Sequence, residues 1–353
     1  MKKAAPLFLI DFLKVFAALL IILHHLSSYG QIAEDARRVL PDLMTWLFEY
    51  GRYAVQIFLV MAGYLAAQSL SRYANIQFSA NGLLKLILNR YLRLFAPYAA
   101  ALIFTIVCAY IARFWVNDEF VGQSETLAQF LAHLFFIQGI LGLDSISAGA
   151  WYIAIDWQLY SVLAILFVSF PRYQALIWLI SVLAVSSLLF FNRSGDYEAY
   201  FIYFIGSYGL GVLAYLASRF EDPGIKRLAK VALILIGLII AAASIQQVWL
   251  RNILAWFVAL ALYLWGDAQY PKEIVQKSIG KAIAWGSQRS YCAFLIHFAF
   301  ILLANTLYIA SGLYAHESGA LAIALMLVVV ITSVIAANYV YRWIEVPANK
   351  LKV

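Results

Sequence analysis

The sequence has few charged residues and almost no cysteine. Aspartate, glutamate, lysine and arginine make up 12% of the 353 residues, whereas hydrophobic residues make up 65%. Soluble domains carry about a quarter charged residues, so this composition excludes a soluble globular protein and predicts an integral membrane protein. Cys108 and Cys292 both lie within apolar runs, which argues against disulfides and against a cysteine metal site. We expect no bound metal.

Ten apolar runs are long enough to cross a bilayer. They lie near residues 7–29, 53–70, 93–115, 151–170, 174–191, 199–217, 229–247, 251–266, 288–311 and 319–342. The shorter apolar segment 126–142 follows an acidic stretch and is expected not to cross. The sequence therefore predicts an all-α polytopic membrane protein of about ten transmembrane helices, with one membrane domain over residues 1–353.

The basic residues are distributed unevenly between the two sets of loops. With the N-terminus inside, eighteen of the 25 lysines and arginines lie on the cytoplasmic side, six lie outside and Lys14 lies within the first span. The positive-inside rule therefore places both termini in the cytoplasm. Topology accounts for most of this charge, so nothing suggests nucleic-acid binding. The longest loops, about 30–52 and 116–150, are expected outside.

Four ionisable residues interrupt the first apolar run: Asp11, Lys14, His24 and His25. Such groups are costly in hydrocarbon and mark a functional site by default. Lys14 and His25 are eleven positions apart, or roughly 16 Å along a helix. Asp11 and Lys14 can meet on one helix face, and a mutually neutralising pair is the structural alternative. Either histidine could accept a proton near neutral pH, or simply hydrogen-bond a neighbouring helix.

Three later segments carry further polar residues into the spans. Arg90 and Arg93 are placed at the cytoplasmic mouth of the third span, where arginines either anchor a helix or bind phosphates. Together with Lys14 they form a candidate seat for the phosphates of a nucleotide-like cofactor. Asp156 enters the fourth span from the outer side, and His297 lies within the ninth.

These segments, in this order, resemble the acyltransferase-3 family of integral membrane O-acyltransferases. Lys14 and His25 match the family's Arg-x10-His motif, with lysine in place of arginine. Asp156 stands where the family has glutamate, and Ala62 where it has serine. The other matching elements are Phe58 to Leu65, Arg90 with Arg93 and Pro97, Trp151 with Asp156 and Tyr160, Tyr291 with His297, and Tyr341 with Glu345 and Pro347.

The resemblance implies transfer of an acyl group, usually acetyl, from acetyl-CoA or another acyl-CoA to a hydroxyl of an exported or lipid-linked polysaccharide or sugar. We predict that His25 is the general base, that Asp156 orients the acceptor or the histidine, and that Lys14, Arg90 and Arg93 bind the donor. Direct transfer and an acyl-histidine intermediate are both open. The residues expected to contact the acceptor are Asp11, Trp151, Tyr160 and His297. The expected partners are acyl-CoA, a carbohydrate acceptor and the bilayer, and a homo-oligomer stays open.

A transporter or flippase of a lipid-linked sugar is the competing class. Intramembrane charges and many spans suit a carrier equally well. Against this alternative, the sequence has no paired Gly/Pro-broken segments in matching halves. Its polar residues also gather toward the N-terminal half.

Overall fold

The computed structural model describes residues 7–73, 80–117, 119–170, 172–270 and 277–351, and these residues are almost entirely helical. Besides a three-residue helical turn, Val346–Ala348, they form thirteen longer α-helices: α1 Phe8–Ser28, α2 Gly30–Val39, α3 Pro41–Tyr50, α4 Ala54–Leu70, α5 Ala80–Ala112, α6 Leu127–Leu134, α7 Ala150–Ser169, α8 Tyr173–Leu189, α9 Phe201–Arg219, α10 Pro223–Gln246, α11 Leu250–Trp265, α12 Ser278–Ala310 and α13 Gly319–Val340.

The expected all-α polytopic membrane architecture is confirmed. Within the described part of the chain, nine helical segments are long and apolar enough to cross a membrane, and α11, with 16 residues, is a shorter tenth. A helix of this length spans about 24 Å, which suffices for a thin hydrocarbon core. Every apolar run predicted to cross therefore corresponds to a helix.

Two helices begin well before the apolar runs that predicted them. The helix α5 starts at Ala80 instead of near residue 93, and α12 starts at Ser278 instead of near residue 288. Hydropathy detects only the hydrocarbon-spanning part of a helix, whereas these two continue into polar sequence. Arg90 consequently lies ten residues inside α5, about 15 Å from its start.

The two predicted outer loops also contain helices. The first folds into α2 and α3, and the second contains α6. Thr126 caps α6 by accepting a hydrogen bond from the backbone N–H of Gln129, whose side chain accepts one in return. With eight residues, α6 is about 12 Å long, so the segment 126–142 is too short to cross, as expected.

The helix α9 lies at the centre of the bundle, packed against α4, α8, α10 and α11. Glycines allow the backbones of α4 and α9 to touch. A Cβ atom at Gly63 would lie 2.0 Å from the carbonyl oxygen of Tyr208, and one at Gly211 would lie 1.9 Å from that of Val60. Small residues at such crossings are the usual means of close helix packing in membranes.

The first and last transmembrane helices have ends on the same face of the bundle. The backbone N–H of Phe8 donates to the carbonyl of Ala268, just after α11. Lys14 in α1 has Glu345, just after α13, as an electrostatic neighbour. We call this the inner face, following the predicted orientation, and the opposite one the outer face.

The close approach of α4 and α9 predicts that Gly63→Ala lowers stability. The added methyl group overlaps the Tyr208 carbonyl, and overpacking of this kind costs about 1–3 kcal/mol. Thermal unfolding of the purified protein in detergent should show a lower Tm. Gly195→Ala is the matched control, because a Cβ there meets nothing within 4 Å. Equal Tm values for the two variants would contradict the packing described.

Candidate active site

The histidines predicted in the first and ninth spans are in direct contact. His25 Nδ1 of α1 lies 2.7 Å from His297 Nε2 of α12. The ring planes are parallel within 2°, and their centroids are 5.0 Å apart. His25 is 7% exposed and His297 0%. Both rings are thus buried, and only His25 keeps a small exposed fraction.

The hydrogen bonds around this pair define which nitrogen of each ring carries the proton. His297 Nδ1 lies 2.7 Å from the carbonyl oxygen of Phe294, which can only accept, so this nitrogen donates. In a neutral imidazole the other nitrogen then accepts, so His25 Nδ1 donates to His297 Nε2. A neutral His25 consequently keeps the lone pair of Nε2. We call this chain of hydrogen bonds, from His25 through His297 to the Phe294 carbonyl, the histidine relay; it leaves Nε2 of His25 uninvolved.

His24 has a different environment. Its Nδ1 lies 3.0 Å from the carbonyl oxygen of Leu47 in α3, and its ring is 6.4 Å from that of Phe48. His24 thus faces the outer helices, whereas His25 faces α12. The imidazole partner favours His25 over its neighbour as the base.

Asp11 is held by two protein hydroxyl groups. It accepts hydrogen bonds from Ser287 Oγ at 2.5 Å and from Tyr270 OH at 2.9 Å. Burial and the adjacent Asp11 carboxylate raise the pKa of Tyr270, which keeps this phenol a donor. These bonds tie the start of α1 to α12 and to the segment after α11. They favour a positioning role for Asp11 over the acceptor contact that the sequence predicts.

Lys14 and Arg93 form a cationic cluster on the inner side. The electrostatic neighbours of Lys14 are Asp11, Arg93 and Glu345. Arg93 is exposed although it lies thirteen residues inside α5, with Glu345 and Tyr291 among its neighbours. Its exposed surface thus lies close to the charges of Lys14 and Glu345. We call the space bordered by Lys14, Arg93 and Glu345 the inner vestibule.

Arg90 is engaged elsewhere. Its Nη2 lies 2.6 Å from Asp156 Oδ2, and its guanidinium lies 5.2 Å from the ring centre of Tyr160. The sequence assigned Arg90 to the cytoplasmic mouth and Asp156 to the outer entrance, and this separation is wrong. Arg90 is the eleventh residue of α5 and Asp156 the seventh of α7, and the two helices pack with these positions level. The pair neutralises two charges that would be costly to bury singly.

This ion pair changes how the predicted roles are divided. Asp156 is 3% exposed and forms its salt bridge with Arg90. The side chain that hydrogen-bonds His25, and thereby orients it, is instead His297. Tyr160 packs on the Arg90 guanidinium. Trp151 stacks on Phe204 with ring centres 5.4 Å apart. The structure thus brings Asp156, Tyr160 and Arg90 together, but not with His25.

Several site residues have no signal in the sequence. Phe294 contributes a backbone carbonyl, which any residue type could supply. Ser287 and Tyr270 become significant only because the fold brings them to Asp11. Cys292 donates its S–H to Glu345 at 3.0 Å. In the sequence Cys292 lies within an apolar run, which gives no sign of this contact.

The bundle buries a histidine pair near one end of α1 and has a cationic vestibule near the other end. Such an arrangement can support group transfer within the bilayer. The chain matches the family model described as acyltransferase domain, Acyl_transf_3, over residues 8–340. The protein therefore belongs to the acyltransferase-3 family and is a membrane acyltransferase, and the transporter alternative is not favoured. No match was found among curated proteins or among solved structures.

The histidine relay predicts different outcomes for two substitutions of His297. Leucine removes the acceptor for His25 Nδ1–H, whereas glutamine can present an oxygen near the place of Nε2. We expect His297→Leu to lower kcat for acyl transfer by about 10²-fold, the low end of general-base effects, and His297→Gln to retain most of it. The Tm of both variants serves as the folding control. Equal losses in two folded variants would rule out the relay.

Proposed function

We propose that the protein transfers an acyl group, usually acetyl, from cytoplasmic acyl-CoA to a hydroxyl of an exported or lipid-linked sugar at the inner membrane. His25 Nε2 would take the proton of the hydroxyl as its oxygen attacks the thioester carbonyl. The C–S bond then breaks, and the coenzyme A thiolate leaves with that proton. The observation that carries the proposal is the relay that leaves His25 Nε2 free to accept.

The inner vestibule supports the choice of acyl-CoA as donor. Coenzyme A is a phosphorylated nucleotide confined to the cytoplasm, and Lys14 and Arg93 are cations on the predicted cytoplasmic side. The planar guanidinium of Arg93 can form paired hydrogen bonds with a phosphate, while Lys14 contributes a point charge. Arg90 is a weaker candidate for the donor than the sequence indicates, because Asp156 already occupies it.

The separation of the two ends supports the same donor. Lys14 and His25 are roughly 16 Å apart along α1, comparable with the reach of a pantetheine arm of about 20 Å. Ala18, Ile21 and Ile22, on the helix face between them, are nevertheless buried. The arm has no open path along that face, so we expect donor binding to separate α1 from its neighbours there.

The relay suits two chemical routes. In direct transfer, His25 acts only as a base while donor and acceptor are bound together. In the alternative, Nε2 attacks the thioester and forms an acyl-histidine, which the acceptor hydroxyl then resolves. Both routes need the same unprotonated nitrogen.

The proposed role of His25 is tested with purified protein in liposomes that contain labelled acetyl-CoA. Loss of a general base lowers the rate by about 10²–10⁴-fold, so we expect His25→Ala to lose transfer to that extent while still folding, with a Tm lowered by the loss of the hydrogen bond to His297. His24→Ala, its matched control, should keep most of the activity. A folded His25→Ala protein that works at the wild-type rate would contradict the assignment. Movement of a sugar without thioester loss would indicate a carrier.

The vestibule makes a separate prediction about the donor. Loss of a charge-assisted hydrogen bond costs about 1.5–3 kcal/mol, so Arg93→Ala should raise the KM for acetyl-CoA by about 10–100-fold. Lys85→Ala is the control, since Lys85 is an exposed cation two turns earlier on α5. Equal donor KM values for the two variants would remove Arg93 from donor binding.

A further inference from the structure

A cavity of about 340 Å³ opens at the outer face, between the end of α1 and the helices α2 and α3. Its lining includes Ser28 of α1, Glu34 and Arg37 of α2, and Thr45 and Phe48 of α3. Small-molecule sites begin at about 300 Å³, so the cavity has room for one sugar ring. We call it the outer pocket.

The polar groups of the outer pocket are partly preorganised. Arg37 Nη2 donates to the carbonyl of Ser27 at 3.1 Å, and the guanidinium lies 5.9 Å from the ring centre of Phe48. Ser28 Oγ donates to the carbonyl of His24 at 2.7 Å, which leaves its lone pairs as acceptors. Glu34 is exposed and forms no salt bridge among the described residues.

This combination of groups selects one class of ligand. The lining carries one carboxylate and one guanidinium and is therefore close to neutral. Glu34 would repel an anionic ligand, and Arg37 would repel a cationic one. The hydroxyls, the free carboxylate and the remaining N–H groups of Arg37 suit a ligand with many hydroxyl groups. The face of Phe48 offers an apolar surface for the C–H side of a pyranose ring. These features match a neutral hexose.

The outer pocket also lies where an acceptor is needed. Ser28 follows His25 by three residues, or about 4.5 Å of helix rise. Lys14 and the inner vestibule are at the opposite end of the same helix. A sugar in the pocket would thus lie about one helical turn beyond His25 on α1, at the end away from the donor phosphates.

We propose that the outer pocket binds a neutral hexose residue of the acceptor, an inference that rests on the proposed function. The carboxylate of Glu34 accepts sugar hydroxyl hydrogens, Arg37 and Thr45 flank the ring, and Phe48 packs against it. The acceptor is therefore held by α2 and α3, which the sequence placed in a loop.

Binding is measured first, without turnover. Saturation-transfer NMR of methyl β-D-glucopyranoside and methyl β-D-galactopyranoside with the full-length protein in detergent should show contact with at least one. Glu34→Gln and Phe48→Ala should each weaken that binding about tenfold, the effect of one good contact. The controls are Glu49→Gln, on the same pair of helices but outside the pocket, and Phe114→Ala, an exposed phenylalanine elsewhere on the outer side.

A transfer assay separates this inference from the proposed catalysis. With acetyl-CoA inside liposomes and the bound hexoside outside, Glu34→Gln should raise the acceptor KM about tenfold and leave the donor KM unchanged. His25→Ala should bind the hexoside normally. No saturation transfer in the wild type, or binding that Glu34→Gln and Phe48→Ala leave unaltered, would overturn the pocket. Normal transfer by His25→Ala beside a Glu34-dependent affinity would overturn only the catalytic proposal.

Discussion

A buried hydrogen bond between two imidazole rings joins the last turn of α1 to α12, and the Phe294 carbonyl holds the second ring in turn. A buried polar group left without a partner costs about 1–3 kcal/mol, so this chain of bonds constrains both helices at once. The same bonds determine the protonation of His25. The packing of the fold and the chemistry of the site therefore depend on the same few atoms.

The charged residues inside the bundle fall into two groups. Asp11 is satisfied by Ser287 and Tyr270, and Arg90 and Asp156 neutralise each other's charge, so these residues stabilise helix positions. Lys14 and Arg93 instead have no salt bridge among the described residues, and we propose that they are available to a charged ligand. Only the structure reveals this division. Lys14 and Arg93 remain candidates for the donor, whereas the charge of Arg90 is already neutralised by Asp156.

The helical architecture was predictable because each span carries its own hydrophobic signal. His25 was predictable as well, since an ionisable residue in an apolar run is conspicuous. Its partner lies 272 residues away and the partner of Arg90 lies 66 residues away, distances over which local patterns carry no information. The early start of α5 was missed for a related reason: hydropathy detects hydrocarbon, whereas a helix can continue past it. The helices α2 and α3 were missed because they are too short and too polar to resemble spans.

In the proposed mechanism, the donor binds at the inner end of α1 and the acceptor binds at its outer end. A buried helix face lies between them. The most direct test of this arrangement is a cryo-EM structure of the protein with coenzyme A bound. The account predicts that the phosphates lie beside Lys14 and Arg93, that α1 is parted from its neighbours at Ile21 and Ile22, and that the thiol points toward His25 Nε2. Phosphates bound elsewhere, or a thiol directed away from α1, would contradict it.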